Sequence, residues 1–235
     1  VLGPDAEPGS PEIELFVREV ARELTIKAGQ RCTAIRRALV PERAAGAVVE
    51  ALQQRLAEVV VGDPARPEVT MGALASRAQR DEVCARVAQL TQAARIVHGD
   101  VDSVRIAADD PDTGAFFEPI VLYCEDPRAQ TAVHDVEAFG PVATVMPYRA
   151  MGDAIELAKK GRGSLVGSIF TGDDEVAREL AFGVAAYHGR LLIGNRDCAE
   201  ESTGHGSPLP VLVHGGPGRA GGGEELGGVR SVLHY

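Results

Sequence analysis

The chain has 235 residues, 45% hydrophobic and 25% charged, a composition that supports one large or two modest packed domains and excludes a disordered or fibrous polypeptide. Its 34 acidic residues exceed 24 basic ones for a net charge of −10, which argues against a general nucleic-acid or anionic-membrane surface. No apolar run reaches membrane-spanning length and no basic, then apolar, leader opens the chain, so a cytoplasmic protein with neither membrane nor nucleic acid among its partners is expected.

Residues 1–9 read as the tail of an element that began earlier. Ser10 and Pro11 suit an N-cap and a first helical position, and Ile13, Phe16, Val17, Val20 and Leu24 recur at helical spacing, which predicts a buried helix running toward Gly29. Gly29 ends it, and a strand is expected over residues 33–40. Pro41 then opens a predicted helix to Val59, with Val48, Val49, Leu52 and Leu56 on one face. A loop over 61–72, an amphipathic helix over 76–93 and a short strand at Ile96 and Val97 follow, and Asp109-Asp110-Pro111-Asp112-Thr113-Gly114 is a strong turn signal. Strands over 116–124 and 142–147 flank a short helix near Arg128. A helix over 151–160, a strand over 165–170, a helix over 174–182 and a strand over 191–193 complete the series. Such alternation implies an α/β fold, an open, mainly parallel, doubly wound sheet, with Cys32 expected in a loop on its carboxyl edge, the usual place for a ligand. Residues 1–197 form the expected domain. Residues 198–235 read as its Gly-rich closing segment, a long loop without a P-loop Lys-Ser/Thr.

The chemistry gathers at Ala28-Gly29-Gln30-Arg31-Cys32, a glycine turn that delivers one cysteine between a helix and a strand. Backbone N–H groups at such a turn, with Lys27 and Arg31 close by, would favour a thiolate and could hold an oxyanion. The opposing reading is a small buried hydrophobe, the usual fate of a lone cysteine. Cys32, Cys84, Cys124 and Cys198 lie far apart with no C-x-x-C, so thiols are expected and no metal site is indicated. His134 and Asp135 read as surface residues, His205 and His214 as loop histidines flanking Pro208 that could point at a ligand but are more often solvent-exposed, and Arg36 with Arg37 as a solvated or salt-bridged pair. By itself Glu137 is an exposed carboxylate near a turn.

Gly29-Gln30-Arg31-Cys32 resembles the Gly-Gln-x-Cys nucleophile motif of the aldehyde dehydrogenase superfamily, and other segments agree in order. Val61-Gly62-Asp63-Pro64 with Gly72, Ser76 and Gln79 is similar to the family's Gly-Asp-Pro and Gly-Pro-x-x-Ser-x-x-Gln. Residues 114–122 resemble Gly-x-(Phe/Tyr)-x-x-Pro-Thr-Val-Leu, and Glu137-Ala138-Phe139-Gly140-Pro141-Val142 matches Glu-x-Phe-Gly-Pro-Val. Asn195 and the glycines of 221–227 match a strand-ending asparagine and a closing Gly-x-Gly-x-Glu-Leu-Gly. Cys32-Thr33-Ala34-Ile35-Arg36-Arg37 and the loop 202–210 most resemble the semialdehyde dehydrogenases of bacterial phenylacetate degradation, commonly fused to a hydratase-like domain.

The resemblance implies that Cys32 adds to an aldehyde, that the thiohemiacetal passes hydride to NAD or NADP, and that water releases the acid from a thioester. It assigns Glu137 to the ribose of the nicotinamide half and Phe139 to a wall beside the nicotinamide ring. The subfamily implies NADP and an aldehyde substrate linked to coenzyme A, and the family a homo-oligomer in the full-length protein. Glu225-Leu226-Gly227-Gly228 spells the family's base motif yet lies downstream of Cys32, so Glu225 is not assigned as the base. The base glutamate and the oxyanion asparagine belong to a cofactor-binding domain expected to be absent from this chain. Thr25 and Lys27 replace a usual aromatic and asparagine, which implies an altered substrate channel. The competing class is a non-redox thiol esterase or a scaffold domain.

Overall fold

The structure is a computed structural model that describes residues 1–101, 106–108, 114–207 and 209–234. The turn expected at residues 109–113 and Pro208 lie outside the described residues. The chain divides into two compact units, Val1–Phe16 with Leu39–Ala44 and Tyr148–Tyr235, and Val17–Ala38 with Ala45–Pro147. It passes between them within α1 (Pro11–Thr25), within β1 (Arg37–Pro41), after Ala44 and after Pro147.

The second unit contains α2 (Ala45–Leu56), β2 (Val61–Gly62), α3 (Arg77–Leu90), β3 (Arg95–His98), β4 (Ile106–Ala107), β5 (Ile120–Tyr123), α4 (Ala132–Asp135) and most of β6 (Val142–Tyr148). Four strands form a sheet in the order β1-β6-β5-β3, with β5 and β6 parallel from the Ile120–Val142 pair onward and β3 antiparallel to β5. β2 and β4 form a separate parallel pair. Helical spacing supplies the core: Val48, Leu52 and Leu56 of α2 and Val83, Val87 and Leu90 of α3 are buried, as is every residue of β6. A fully buried Leu or Val contributes about 1.5–3 kcal/mol, so these two stripes add several such contributions to the unit's stability. Ser76 caps α3, its hydroxyl accepting from the Gln79 N–H at 3.1 Å.

The first unit contains α5 (Met151–Lys159), β7 (Ser164–Phe170), α6 (Asp174–Val184), β8 (His188–Gly194) and α7 (Val229–His234). β7 and β8 are parallel, and the backbone of Val1–Gly3 bonds both to Phe170 of β7 and to Leu39. Phe16 meets Phe170 edge-on at 5.9 Å. Asp173 caps α6 through the Glu175 and Val176 N–H groups. The closing segment is more ordered than a plain loop. It folds back on itself, with the His214 N–H donating to Glu224 O, Leu226 N–H to Leu212 O and a bridge between Val213 and Glu225.

The α/β class with a mainly parallel arrangement agrees with the sequence. Several details differ. Pro11 opens α1 as expected, but the Ser10 hydroxyl is buried with no hydrogen-bond partner among the described residues, and only its carbonyl serves the first turn. β1 starts at Arg37 because residues 31–34 are held in a turn by the Ala34 N–H bond to Arg31 O. Near Arg128 the chain makes a turn around the Asp126 carboxylate, and the helix comes later as α4.

Candidate active site

All three residues expected at the site, Cys32, Glu137 and Phe139, belong to the second unit. The turn that carries Cys32 begins where α1 stops. Lys27 (φ 52, ψ 30), Ala28 (φ 50, ψ 44) and Gly29 (φ 66) follow one another in the left-handed region, which only glycine enters without cost. This reverses the chain sharply, and a Cβ on Gly29 would run into the Gly140 carbonyl. Gln30 then locks the turn: its Nε2 donates to Lys27 O at 2.9 Å and its Oε1 accepts the Ala75 N–H at 2.9 Å. Cys32 emerges exposed on this turn, so the reading of a small buried hydrophobe is excluded. Cys124 is the inert counterpart, a fully buried thiol whose pKa burial pushes up.

One expectation is corrected here. Cys32 precedes β1 in the chain and therefore enters that strand at its amino end, not at a carboxyl edge. The loops that lead into β1 and β6 meet there, because the Arg36 guanidinium spans them. It donates to Gly140 O at 2.7 Å, to Gly29 O at 2.9 Å and to Arg31 O at 3.3 Å. Its Nε lies 3.6 Å from Glu137 Oε1, and its Cζ lies 5.5 Å from the Phe139 ring centre. Burial pushes the Arg36 pKa below its ordinary value, while Glu137, Glu23 and Cys32 pull it back up. Glu137 is half exposed, and Gln79 Nε2 anchors the next segment by donating to Phe139 O at 2.8 Å.

Behind the turn stands Glu23, which sequence patterning missed. Its side chain is buried, Oε1 accepts from Arg31 Nη1 at 2.8 Å, and Oε2 has no hydrogen-bond partner among the described residues. Burial raises its pKa against the pull of Arg31. An open cleft of about 460 Å³ borders the turn, lined by Thr25, Lys27, Gln30, Thr70, Met71 and Ala75 among others.

Other residues singled out in the sequence have local hydrogen-bond partners. The Asn195 side-chain oxygen accepts from the Asp197 and Cys198 N–H groups at 3.0 and 3.2 Å, and Glu225 Oε2 accepts from the Arg230 N–H at 3.2 Å. His134 and His205 are buried, contrary to the surface reading: His134 bonds through Nε2 to Pro127 O at 2.7 Å, and His205 Nδ1 lies 2.6 Å from Ser168 Oγ. Among the described residues no cluster of His, Cys, Asp and Glu could hold a metal ion, and no helix is long and apolar enough to cross a membrane.

The described residues present an α/β chain with an exposed thiol on a glycine turn that Arg36 ties to a Glu-x-Phe-Gly segment, an arrangement open to a class of covalent thiol chemistry. Its relatives narrow the class. The profile of the Aldehyde dehydrogenase family matches residues 10–224, and the chain belongs to that family. It is 42% identical over 217 residues to a 3,4-dehydroadipyl-CoA semialdehyde dehydrogenase of Aromatoleum evansii, covering 92% of this chain and 42% of that protein. It is 54% identical over 166 residues to Protein MaoC of Klebsiella aerogenes, covering 70% of this chain and 48% of that one. Among solved structures, a double mutant of betaine aldehyde dehydrogenase from Staphylococcus aureus, in complex with NAD+, superposes with a TM-score of 0.80 at 26% identity, over 100% of this chain and 43% of that one. The chain thus spans less than half the length of these relatives.

Proposed function

We propose that this chain is the catalytic part of an NAD(P)-dependent aldehyde dehydrogenase in which Cys32 is the nucleophile and Glu137 and Phe139 meet the nicotinamide half of the cofactor. The observation that carries the reading is the bridge of Arg36 between the Cys32 turn and the segment of Glu137 and Phe139. Family membership supports it. The residues present also fit a dinucleotide end. Glu137 and Phe139 are both partly exposed while Gln79 bonds the Phe139 carbonyl and Arg36 that of Gly140, so the carboxylate and the ring are available to a ligand. A carboxylate can accept from two vicinal hydroxyls, and an aromatic wall restrains a flat ring.

The Cys32 thiolate forms a carbon–sulfur bond to the aldehyde carbon, and the carbonyl π electrons move onto oxygen. The bound nicotinamide supplies the two-electron acceptor for the hydride of that carbon. Cys32 then holds the acyl group as a thioester until water cleaves the carbon–sulfur bond and restores the thiol. Glu137 and Phe139 orient and shield, and the base that the reaction needs is proposed to come from outside this chain. A coenzyme A-linked semialdehyde is the proposed substrate, supported by the name of the Aromatoleum relative. Binding energy from such a carrier, remote from the reacting carbon, would be used to orient the aldehyde.

The test compares wild type and Cys32→Ala in a full-length protein containing this chain. Aldehyde-dependent reduction of NAD(P) should be lost in the variant, with Cys32 the first thiol alkylated by iodoacetamide and protected by substrate. Reduction that survives Cys32→Ala would refute the nucleophile assignment, and thiol-dependent ester cleavage without any response to a nicotinamide cofactor would favour the esterase reading. The 235-residue chain alone should produce no reduced cofactor, since lost proton transfer alone removes about 10²–10⁴ in rate.

A further inference from the structure

Arg36 makes directed contacts to both loops of the site, and none of them is explained by the covalent chemistry itself. Its side chain is 17% exposed, so the cation has given up most of its water and must be compensated by the protein. The compensation comes mainly from main-chain carbonyls. Two of them, Gly29 O and Arg31 O, frame the turn just before Cys32, and the third, Gly140 O, closes the Glu137–Gly140 segment. The same group stands beside Glu137 and beside the Phe139 ring.

We propose that Arg36 is a positioning residue that fixes the Cys32 turn and the Glu137–Gly140 segment in one mutual register, so that the nucleophile and the cofactor-facing carboxylate are placed by a single planar group. The inference rests on the proposed roles of Cys32 and Glu137. Geometry makes arginine specific. Nη1 serves one segment and Nη2 the other, and a guanidinium holds those two donors at a fixed spacing in one plane. A lysine ammonium keeps the charge but is a single point on a flexible stem, and cannot span both loops. Glu137 lies beside the same group, its Oε1 3.6 Å from Arg36 Nε, an ion-pair distance rather than a hydrogen bond, and the half-exposed carboxylate is accessible to a ligand. The neighbouring Arg37 turns elsewhere, with its Nη1 lying 3.3 Å from His134 Nδ1.

The experiment uses Arg36→Lys and Arg36→Gln, alone and combined with Glu137→Gln, in a full-length protein containing this chain. Three quantities are read below the melting temperature: hydrogen exchange of residues 27–34 and 137–141, single-turnover hydride transfer, and its primary isotope effect with a C1-deuterated aldehyde. Arg36→Lys should raise exchange in both segments together and slow hydride transfer by about tenfold to a hundredfold, as a displacement near 1 Å at a reacting centre does, with a larger isotope effect. In the Glu137→Gln background the same substitution should slow the step by a clearly smaller factor, because part of its action runs through that carboxylate. Exchange rising in only one segment, an equal factor in both backgrounds, or an unchanged hydride step in a folded Arg36→Lys protein would each overturn the positioning role. If Arg36→Lys does not fold, Arg36→Gln is judged by the same outcomes. Failure of the underlying reading is separate: Glu137→Gln with Arg36 intact would then leave hydride transfer at the wild-type rate.

Discussion

The two ends of α1 carry the same chemical group in opposite circumstances. At the entry, Glu12 is 2% exposed and both its oxygens are used, Oε1 by Arg196 Nε at 2.9 Å and Oε2 by Arg196 Nη2 at 2.8 Å. The side-chain bonds to Arg196 hold its pKa below the ordinary glutamate value. At the exit, Glu23 is just as buried, yet Arg31 reaches only one oxygen, the other has no hydrogen-bond partner among the described residues, and burial pushes its pKa up. Helix polarity sharpens the contrast, since a carboxylate is favoured in the first turn and disfavoured in the last. Burial alone therefore does not decide the worth of an ion pair. Completeness of the hydrogen bonding does. The exit end is also where three residues in succession adopt positive φ, so unfavourable features collect immediately before the candidate nucleophile.

The contrast can be broken most sharply at Gly29. Gly29→Ala places an L side chain at φ 66 and against the Gly140 backbone, and should cost about 2–4 kcal/mol by chemical denaturation. No comparable loss is expected from Gly9→Ala before the helix entry, where φ is also positive but a Cβ meets nothing, and where only the backbone conformation costs, about 1–2 kcal/mol. Equal losses at the two glycines would remove the claim of close approach.

A pH series compares the two glutamates directly. Glu12→Gln should cost about 1.5–3 kcal/mol near neutral pH, the range for a hydrogen bond to a charged group, whereas Glu23→Gln should change stability by no more than about 1 kcal/mol. The slopes should be opposite. The folded pKa of Glu12 lies below its ordinary value of 4.5, so its contribution is present above 4.5 and fades as pH falls through the lower folded value. The folded pKa of Glu23 lies above 4.5, so its contribution is full below 4.5 and is lost as pH rises through the higher folded value. Parallel slopes for the two variants would show that the ends of α1 do not differ electrostatically.

The smallest effect is expected at Lys27. Replacing this exposed residue, at φ 52, with glycine should stabilise the chain by roughly 0.5–1 kcal/mol, because the left-handed cost disappears while the unfolded chain gains some freedom. A net loss would mean that the lysine side chain holds the turn and that the exit is not strained.

Periodic features were legible in the sequence. α1, α3, α5 and α6 and the strands β6 and β7 follow from apolar spacing and turn residues, and Cys32 and Glu137 stood out through motifs. Features that depend on distant partners were not. β2 and β4 have two residues each, too few to show a period, and pair far across the sequence by their register of Val61 with Ile106. His134 and His205 read as surface residues because their burial depends on Pro127 and Ser168, which no local pattern announces. Arg36 read as half of a solvated or salt-bridged pair; its ion pair with Glu137 agrees with the second alternative, and only the meeting of residues 29, 31, 137 and 140 around it reveals the rest of its contacts. For Glu23 the one available signal was a glutamate recurring on the apolar side of α1, near Val20 and Leu24.

Phe139 and Gly140 are held by their carbonyls, through Gln79 and Arg36, and the Phe139 side chain adds the contact of its ring with the Arg36 guanidinium at 5.5 Å. The strand entry can therefore keep its course while the chemistry displayed at position 139 changes. On the proposed assignment of Phe139 to the wall beside the nicotinamide, such a division would let ligand preference drift by single substitutions at position 139 without reopening the question of foldability.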